Sequence, residues 1–436
     1  MVTITIKQII GGAGTGKTTY AKKVARCHIK QRKDVHCLSL THSSVENMRR
    51  RGFPEECNFS TIHSFFRIDP EGNVAGCYRS FDVLIIDEFS LISSSILVSC
   101  IKNIYKAAER LAIGDCQIYL LGDPIQLSAV DTNDSIEFSV LERALNVLPI
   151  SEIPVERLTP IIKHWSRLCI NHPFIRDLTS RSLTLTTNHR SDDSIMQLVE
   201  RIITKGDYTD IFCNLHTTDE VVRMVKDEGF TVIASQYNTL KLINERVRSG
   251  SYLTYHDWRY IAGENVYMTV STASLFNGEI VKLIDATDTS ITIENDNGKD
   301  IISDLYLKFL QETDVRKSVP IALPEYLYTF HKSQGLEFDN VAICVDRLFE
   351  FPMLYTGITR ARKRVIFFTM NSGLLTEIDS LFDRPINRAF MQKFYSESPE
   401  DDTKRMRINE IASQYINNGS IEIGVIKNIY TKENLG

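Results

Sequence analysis

No Cys-x-x-Cys pair occurs among the nine cysteines of this 436-residue chain. That absence argues against both a zinc ribbon and a disulfide framework, and leaves the thiols as reduced core residues. No run of about 18 apolar residues is present either, so no membrane segment is expected. Met1 to Ile10 carries no basic stretch ahead of an apolar core and no small-residue cleavage site, so secretion is unsupported and the cytoplasm is the expected compartment. An excess of positive charge is missing as well. Fifty Lys and Arg against 55 Asp and Glu leave a formal net charge of −5, so any nucleic-acid binding must come from a local groove. What remains is ordinary: 43% hydrophobic and 24% charged residues, in a chain long enough for two or three domains with cores of their own.

The first informative segment lies at the start. Val2 to Ile10 is rich in Ile and Thr and reads as a strand. It runs into Gly11-Gly12-Ala13-Gly14-Thr15-Gly16-Lys17-Thr18, which meets every required position of the G-x-x-x-x-G-K-[ST] phosphate loop. Tyr20 to Ile29 then reads as a helix. Glycines let backbone N–H groups curl around phosphate oxygens, Lys17 reaches the β and γ phosphates, and the Thr18 hydroxyl can ligate Mg²⁺. The competing reading is a glycine turn without nucleotide. Even the functional reading specifies only a nucleoside triphosphate, because kinases, GTPases and motors share the loop.

Phe81 to Ile86 is a nearly continuous apolar run, as expected of a strand buried on both faces. It ends in Asp87-Glu88, so both acids should emerge at the carboxyl end of the strand, where ligands sit in open parallel sheets. Asp87 would then join the Mg²⁺ shell and Glu88 would polarise an attacking water, a pairing suited to hydrolysis. A solvated acidic turn is the alternative. Gln117 to Leu121 delivers Gly122-Asp123-Pro124-Ile125-Gln126-Leu127 in the same manner, and Gln126 could contact the γ phosphate or the water.

The order of segments carries a resemblance. Thr41-His42, Ser60-Thr61-Ile62-His63-Ser64, Asp87-Glu88 and Gly122 to Leu127 follow the phosphate loop. Asn188-His189-Arg190-Ser191, Tyr328 to Asp339 with its His331-Lys332-Ser333-Gln334-Gly335 core, and Leu354 to Arg362 come after. This series resembles the motifs of superfamily 1 helicases, and the His-Lys-Ser-Gln-Gly wording is similar to the RecD and Dda type. The resemblance implies an α/β fold of two RecA-like P-loop domains with parallel sheets, a small β-hairpin inserted in the first and a small β-barrel-like insertion in the second. It implies ATP as substrate, Mg²⁺ as cofactor, and translocation 5′ to 3′ on single-stranded DNA coupled to strand separation at forked duplexes.

The resemblance also assigns residues. Lys17, Glu88, Gln126, Arg190 and Arg360 would be catalytic, the two arginines meeting charge that develops on the transferred phosphoryl group with their planar donor forks. Nucleotide would be held by Gly11, Gly12, Ala13, Gly14, Thr15, Gly16, Lys17, Thr18 and Thr19, with Gln334, Gly335 and Glu337 from the second half; Thr18 and Asp87 would take the metal. Thr41, His42, Thr61, His63, Ser64, Thr329, His331 and Lys332 would face the strand, since short hydroxyls and N–H groups fix phosphate without reading sequence. For an isolated Thr or His, a turn or capping role is the alternative. An adenine-reading Gln ahead of the loop is not evident: only ten residues precede Gly11, and Gln8 falls within the expected strand.

The expected organisation is a first lobe over residues 1–180, with a small hairpin or pin at 67–80 signalled by Asp69-Pro70-Glu71-Gly72-Asn73. A second lobe follows over 181–251 and 322–375. An inserted β domain at 252–321 is marked by the Asn297-Gly298 turn between apolar runs. Residues 376–436 form an extension without a motif, and their charged stretch from Glu397 to Arg407 reads as a linker or solvated helix. A monomer is expected, with replication or recombination proteins as possible partners. Two other classes remain: a translocase or remodeller that displaces proteins without unwinding, and a nucleotide-dependent binding switch.

Overall fold

Ile4, Ile6, Ile9 and Ile10 are all buried, which is why β1 (Ile4–Gly11) sits inside its sheet instead of at an edge. The computed structural model describes residues 3–69, 72–77, 79–108, 110–111, 113–129, 168–189, 193–201, 211, 214–248, 252–272, 275, 277–295, 298–304, 320–345 and 351–370. Arg190, Pro70, Glu71, Tyr78, Asn297 and the expected extension at 376–436 lie outside the described residues.

Six strands form the first sheet in the order β3-β2-β4-β5-β1-β6. They are β2 (Val35–Ser39), β3 (Asn58–Thr61), β4 (Val83–Ile86), β5 (Cys116–Gly122) and β6 (Thr179–Leu185) around β1, and every pairing is parallel. Parallel neighbours need crossover connections, and the helices supply them. α1 (Lys17–Lys30) and α2 (His42–Arg50) cover one face, packing Ala21, Ala25 and Met48 against Ile9, Cys37 and Ile85. α4 (Ser94–Ala107) covers the other, with Ile101 and Ile104 against Ile6 and Leu84. Between them, α3 (Ile62–Phe66) continues β3 directly.

The boundary expected at residue 180 is corrected here. β6 runs through Leu185 and pairs in parallel with β1 from Ile6↔Thr179 to Gly11↔Leu185, so the first lobe extends at least that far. The short helix α5 (Pro173–Asp177) precedes it. A smaller correction concerns Cys27, which is exposed on the outer side of α1; the other seven described cysteines are buried, and all eight are free.

The second sheet is also wholly parallel, in the order β16-β8-β17-β18-β7. Its strands are β7 (Leu215–His216), β8 (Thr231–Ala234), β16 (Leu327–Thr329), β17 (Phe338–Cys344) and β18 (Ala361–Phe368). Helices α6 (Asp193–Glu200), α7 (Thr218–Glu228), α8 (Tyr237–Val247), α9 (Phe330–Ser333) and α10 (Phe351–Ile358) complete this lobe. A Thr217 capping box with Glu220 starts α7, and Gly229 in the left-handed region ends it. Two parallel-sheet lobes are thus present, as expected.

Chain between α8 and β16 leaves the parallel pattern. β9 (Leu253–Tyr255) and β10 (Trp258–Tyr260) form a hairpin. β11 (Asn265–Met268), β12 (Ile280–Thr287), β13 (Ser290–Asn295), β14 (Gly298–Ser303) and β15 (Ala322–Pro324) form an antiparallel sheet. Its core residues Val266, Leu283, Ile291 and Ile293 share one cluster with Val232 and Leu327 of the lobe, so this sheet is packed against the lobe and not tethered loosely. Among the described residues, no helix is long and apolar enough to cross a membrane.

Candidate nucleotide cleft and strand groove

The loop after β1 is shaped by close approach. A Cβ at Gly11 would lie 2.5 Å from Thr15 Oγ1 and 2.7 Å from Leu185 O, so only glycine fits. Gly16, at φ +86°, takes the left-handed conformation that turns the chain into α1. Lys17 Nζ donates to the carbonyls of Gly11 (2.7 Å) and Gly12 (2.8 Å), which places the ammonium within the arc of the loop. Asn188 and His189 brace the outside: Asn188 Nδ2 donates to Ala13 O at 2.7 Å and His189 N to Gly14 O at 2.9 Å.

This loop forms one wall of a cleft of about 550 Å³ between the lobes, within the range of roughly 300–1,000 Å³ usual for small-molecule sites. Ala13 to Thr19, Asp87, Glu88 and Gln126 line it from the first lobe; Gly335, Glu337 and Arg360 line it from the second. Gly11 and Gly12 lie outside the lining and hold Lys17 through their carbonyls. Gln334 is placed elsewhere. Its Nε2 donates to Leu127 O at 3.3 Å, and it lines the larger groove instead of the cleft.

Electrostatically the cleft gathers acids and acceptor oxygens at one end of the phosphate loop. Burial, and then the neighbouring Glu88 carboxylate, push the Asp87 pKa up to about 6, although Lys17 opposes the rise. Asp123 is raised by burial too. Glu88 Oε2 and Gln126 Oε1, both on residues that line the cleft, are buried acceptor oxygens with no donor, and such oxygens are costly unless a bound donor supplies the proton. Glu88 itself sits at φ +57°, in the left-handed region, which turns the chain sharply at the end of β4. A glycine cradle that a Cβ would fill, buried carboxylates in need of a cation, and donorless oxygens together fit a magnesium nucleotide and its attacking water. No group of three or more His, Cys, Asp or Glu is placed for a metal among the described residues. A dication here would therefore take Thr18 and Asp87 together with phosphate and water oxygens, the usual manner of Mg²⁺.

Arg360 is 3% exposed. Its guanidinium donates to Thr356 O and Leu336 O, each at 3.2 Å, so the cation reaches the cleft on a short, braced arm. Glu337 joins the two lobes: it accepts from Arg51, the residue that caps the end of α2, and from Arg362 of β18, the latter at 2.8 Å. Asn47 Nδ2 reaches Gly335 O at 2.8 Å. Ser44, Asn47, Arg51, His189 and Tyr355 had no role in the sequence reading. The spacing of Asn47 and Arg51 by four puts both on one face of α2, but nothing in the sequence says which face meets the second lobe.

A second, wider groove of about 1690 Å³ opens on another side of the same junction. Thr41, His42, Thr61, Ser64, His331 and Lys332 line it; His63 and Thr329 do not. The three threonines share one construction, each ending a strand or turn and capping the next helix. Thr41 Oγ1 accepts from Ser44 N (3.2 Å), Thr61 Oγ1 from Ser64 N (3.1 Å) and Thr329 Oγ1 from Lys332 N (3.3 Å). Each such cap contributes about 1 kcal/mol. Capping is therefore a documented use of these hydroxyls whatever else they do. Burial holds His42 and His63 below the ordinary imidazole pKa. Lys332 donates to Asn277 Oδ1 from the inserted domain, and burial lowers its pKa to about 8. Tyr267 and Tyr328 stack at 4.6 Å, nearly parallel, in the wall behind.

Residues 2–131 match the AAA domain family and residues 325–368 the UvrD-like helicase C-terminal domain. The chain is similar to the RecBCD enzyme subunit RecD of Buchnera aphidicola subsp. Acyrthosiphon pisum, 24% identical over 452 residues that cover 85% of this chain and 71% of the relative. It is also similar to the ATP-dependent DNA helicase Pif1 of Campylobacter jejuni, at 22% identity over 80% of this chain and 85% of the relative. Among solved structures, Bacteroides Pif1 bound to single-stranded DNA shares the fold with a TM-score of 0.52 at 16% identity, covering 86% of this chain and 93% of that one.

Proposed function

We propose that this chain, which belongs to the superfamily 1 helicases of the RecD and Pif1 type, is an ATP-dependent DNA helicase that moves 5′ to 3′ along a single strand and separates the duplex ahead of it. One observation carries the reading. Ser44, Asn47, Arg51 and Glu337 line both the nucleotide cleft and the wide groove, so a change of lobe spacing at one is felt at the other. A two-state junction shared by two sites is what coupling requires.

In this reading Gly11 to Thr19 bind the triphosphate, and Lys17 neutralises the β and γ phosphates. Glu88 accepts a proton from the attacking water, Gln126 aligns that water against the γ phosphate, and Arg360 meets the charge that develops on the transferred group. Arg190 is assigned the same task as Arg360. Mg²⁺ held at Thr18 and Asp87 would supply further charge neutralisation on the phosphates. Gly335 and Glu337 approach the nucleotide from the second lobe, while Gln334 belongs to the groove side. Thr41, His42, Thr61, Ser64, His331 and Lys332 face a strand whose sequence they do not read, while Thr329 acts behind them by capping α9 and His63 lies within α3 behind the lining. The partners are single-stranded DNA and forked duplexes, and the chain works as a monomer.

Duplexes with a 5′ or a 3′ single-stranded tail test the reading. Unwinding of the 5′-tailed substrate, with ATP turnover stimulated many-fold by single strands, is expected. A strict need for a 3′ tail would overturn the direction, and turnover indifferent to DNA would overturn the motor. A translocase that displaces proteins without unwinding is favoured by one feature. Among the described residues of the hairpin that would act as a pin, the arms are short and meet at one bridge pair, Ile68↔Val74.

A further inference from the structure

The segment that follows β5 belongs to the first lobe by sequence but is held by the second. Ile125 and Leu127 pack in the second lobe's core with Phe330, Ile343, Leu354 and Tyr355. Leu127 is fixed at both backbone groups: its N–H donates to Thr356 Oγ1 and its carbonyl accepts from Gln334 Nε2, each at 3.3 Å. At the head of the segment the Tyr355 hydroxyl donates to Asp123 Oδ2 at 2.7 Å. The same carboxylate oxygen accepts from Gln126 Nε2 at 3.3 Å, and Asp123 Oδ1 accepts from Ile125 N at 3.1 Å.

The hydroxyl also faces the phosphate loop. A Cβ at Gly12 would lie 3.2 Å from its oxygen. Tyr355 is 4% exposed. It rides on α10, which lies directly on its own lobe. At Gly357, two residues on, a Cβ would come within 2.9 Å of both Ile343 and Phe330. The hydroxyl therefore moves with the second lobe as a whole, while the loop at Gly12 belongs to the first lobe and Asp123 sits at the end of β5, where the chain passes from the first lobe's sheet to the segment held by the second.

We propose that Tyr355 is a positioning residue for hydrolysis. Its hydroxyl lies against the phosphate loop and donates to Asp123, Asp123 holds the Gln126 amide nitrogen, and the Gln126 Oε1 left without a donor is thereby aimed at the attacking water. Lobe closure sets this chain of bonds and lobe opening breaks it, so turnover is confined to the closed state. The inference rests on the hydrolytic reading of the cleft and names the residue through which the second lobe regulates it.

Tyr355→Phe removes one oxygen and keeps the ring. With single-stranded DNA and magnesium nucleotide both varied to saturation, Tyr355→Phe is expected to lower kcat about tenfold or more, with KM for ATP changed less than about threefold. Its melting temperature should stay within a few degrees of the parent. In a Gln126→Ala background the same change should lower kcat by less than about twofold, because the bond chain already ends in nothing. Asp123→Asn, which breaks the chain one link later, should reproduce the loss and likewise mask Tyr355→Phe. Multiplicative losses in the double variants, or a rise in KM with kcat intact, would leave Tyr355 a packing residue and overturn the inference alone. A parent protein whose turnover single strands do not stimulate would remove the hydrolytic motor and this inference together.

Discussion

The cleft and the groove lie on the same two lobes but distribute their work in opposite ways. In the cleft a few half-buried or buried groups, Lys17, Asp87, Glu88, Gln126 and Arg360, are each proposed to hold a different chemical task, and their positions are braced by bonds such as Lys17 to Gly11 and Arg360 to Thr356. In the groove Thr41 and Thr61 repeat one construction, and the lining is spread over both lobes and the inserted domain. Concentrated chemistry fails at a single substitution, whereas distributed contact fails by degrees. The difference suits a motor, which must commit at the phosphate and remain indifferent along the strand.

The largest expected effect breaks the cleft and spares the groove. Lys17→Ala should abolish measurable ATP turnover while single-strand affinity in the absence of nucleotide stays within about threefold, because the ammonium sits in the loop and not in the groove. Filter binding and a phosphate-release assay on the same preparation decide it, and appreciable DNA-stimulated turnover in the variant would falsify the assigned site. Arg360→Ala should come next, with kcat lowered at least about 100-fold, below or near the 10³–10⁵ attributed to arginine fingers elsewhere. Arg360→Lys should not restore it, since lysine lacks the fork that spans Thr356 O and Leu336 O.

The same contrast explains what was legible. Phosphate chemistry demands particular residues at fixed spacing, so Gly11 to Thr18, Asp87-Glu88 and Gln126 stood out, and the structure gathers them on one wall. The first lobe's parallel sheet was legible from the apolar runs that became β1, β4 and β5, and the second lobe from the resemblance carried by its motifs. The lobe boundary was not. Ser180, Arg181 and Ser182 are exposed at an edge strand, so β6 lacks the apolar signature of a buried strand and reads as linker. Asn47, Arg51 and Tyr355 escaped for another reason: their roles arise from contacts hundreds of residues away, as between Asn47 and Gly335. Thr329 shows the converse, a residue whose motif position suggested the strand but whose hydroxyl is spent on capping α9.

An intermediate effect should isolate the hairpin between α3 and β4 from both sites. Asn73 is tied to Asp69 through N and Nδ2 at 2.7 and 2.9 Å, and Ile68 and Val74 pack on the first lobe's core, so the turn is a small folded unit. Replacing residues 70–76 with a short Gly-Ser turn should lower unwinding of forked duplexes several-fold per ATP consumed. Single-strand-stimulated turnover should stay near the parent value. Unchanged unwinding per ATP would move the wedge to the inserted domain.

The smallest effect probes the groove through its one strongly shifted cation. Removal of Lys332 from bulk water disfavours its charged form and brings its pKa to about 8, whereas in the unfolded chain it would titrate near the usual lysine value of about 10.4. Below pH 8 the ammonium is charged and attracts phosphate; as pH rises through 8 the charge is lost, and with it one contact. A bound phosphate favours the charged form, so strand binding above pH 8 should take up protons. Affinity for a short single strand at fixed ionic strength should therefore fall by a few-fold between pH 7 and 9, as expected when one contact of about 1 kcal/mol is removed. Lys332→Arg keeps its charge across this window and should flatten the profile, and Lys332→Gln should flatten it at the weaker value. The slope of log affinity against log salt should also lessen by about 0.7 for the Gln variant, the value for one phosphate contact on a single strand. An equally steep pH profile in the Arg variant would assign the titration to another group and remove Lys332 from the strand path.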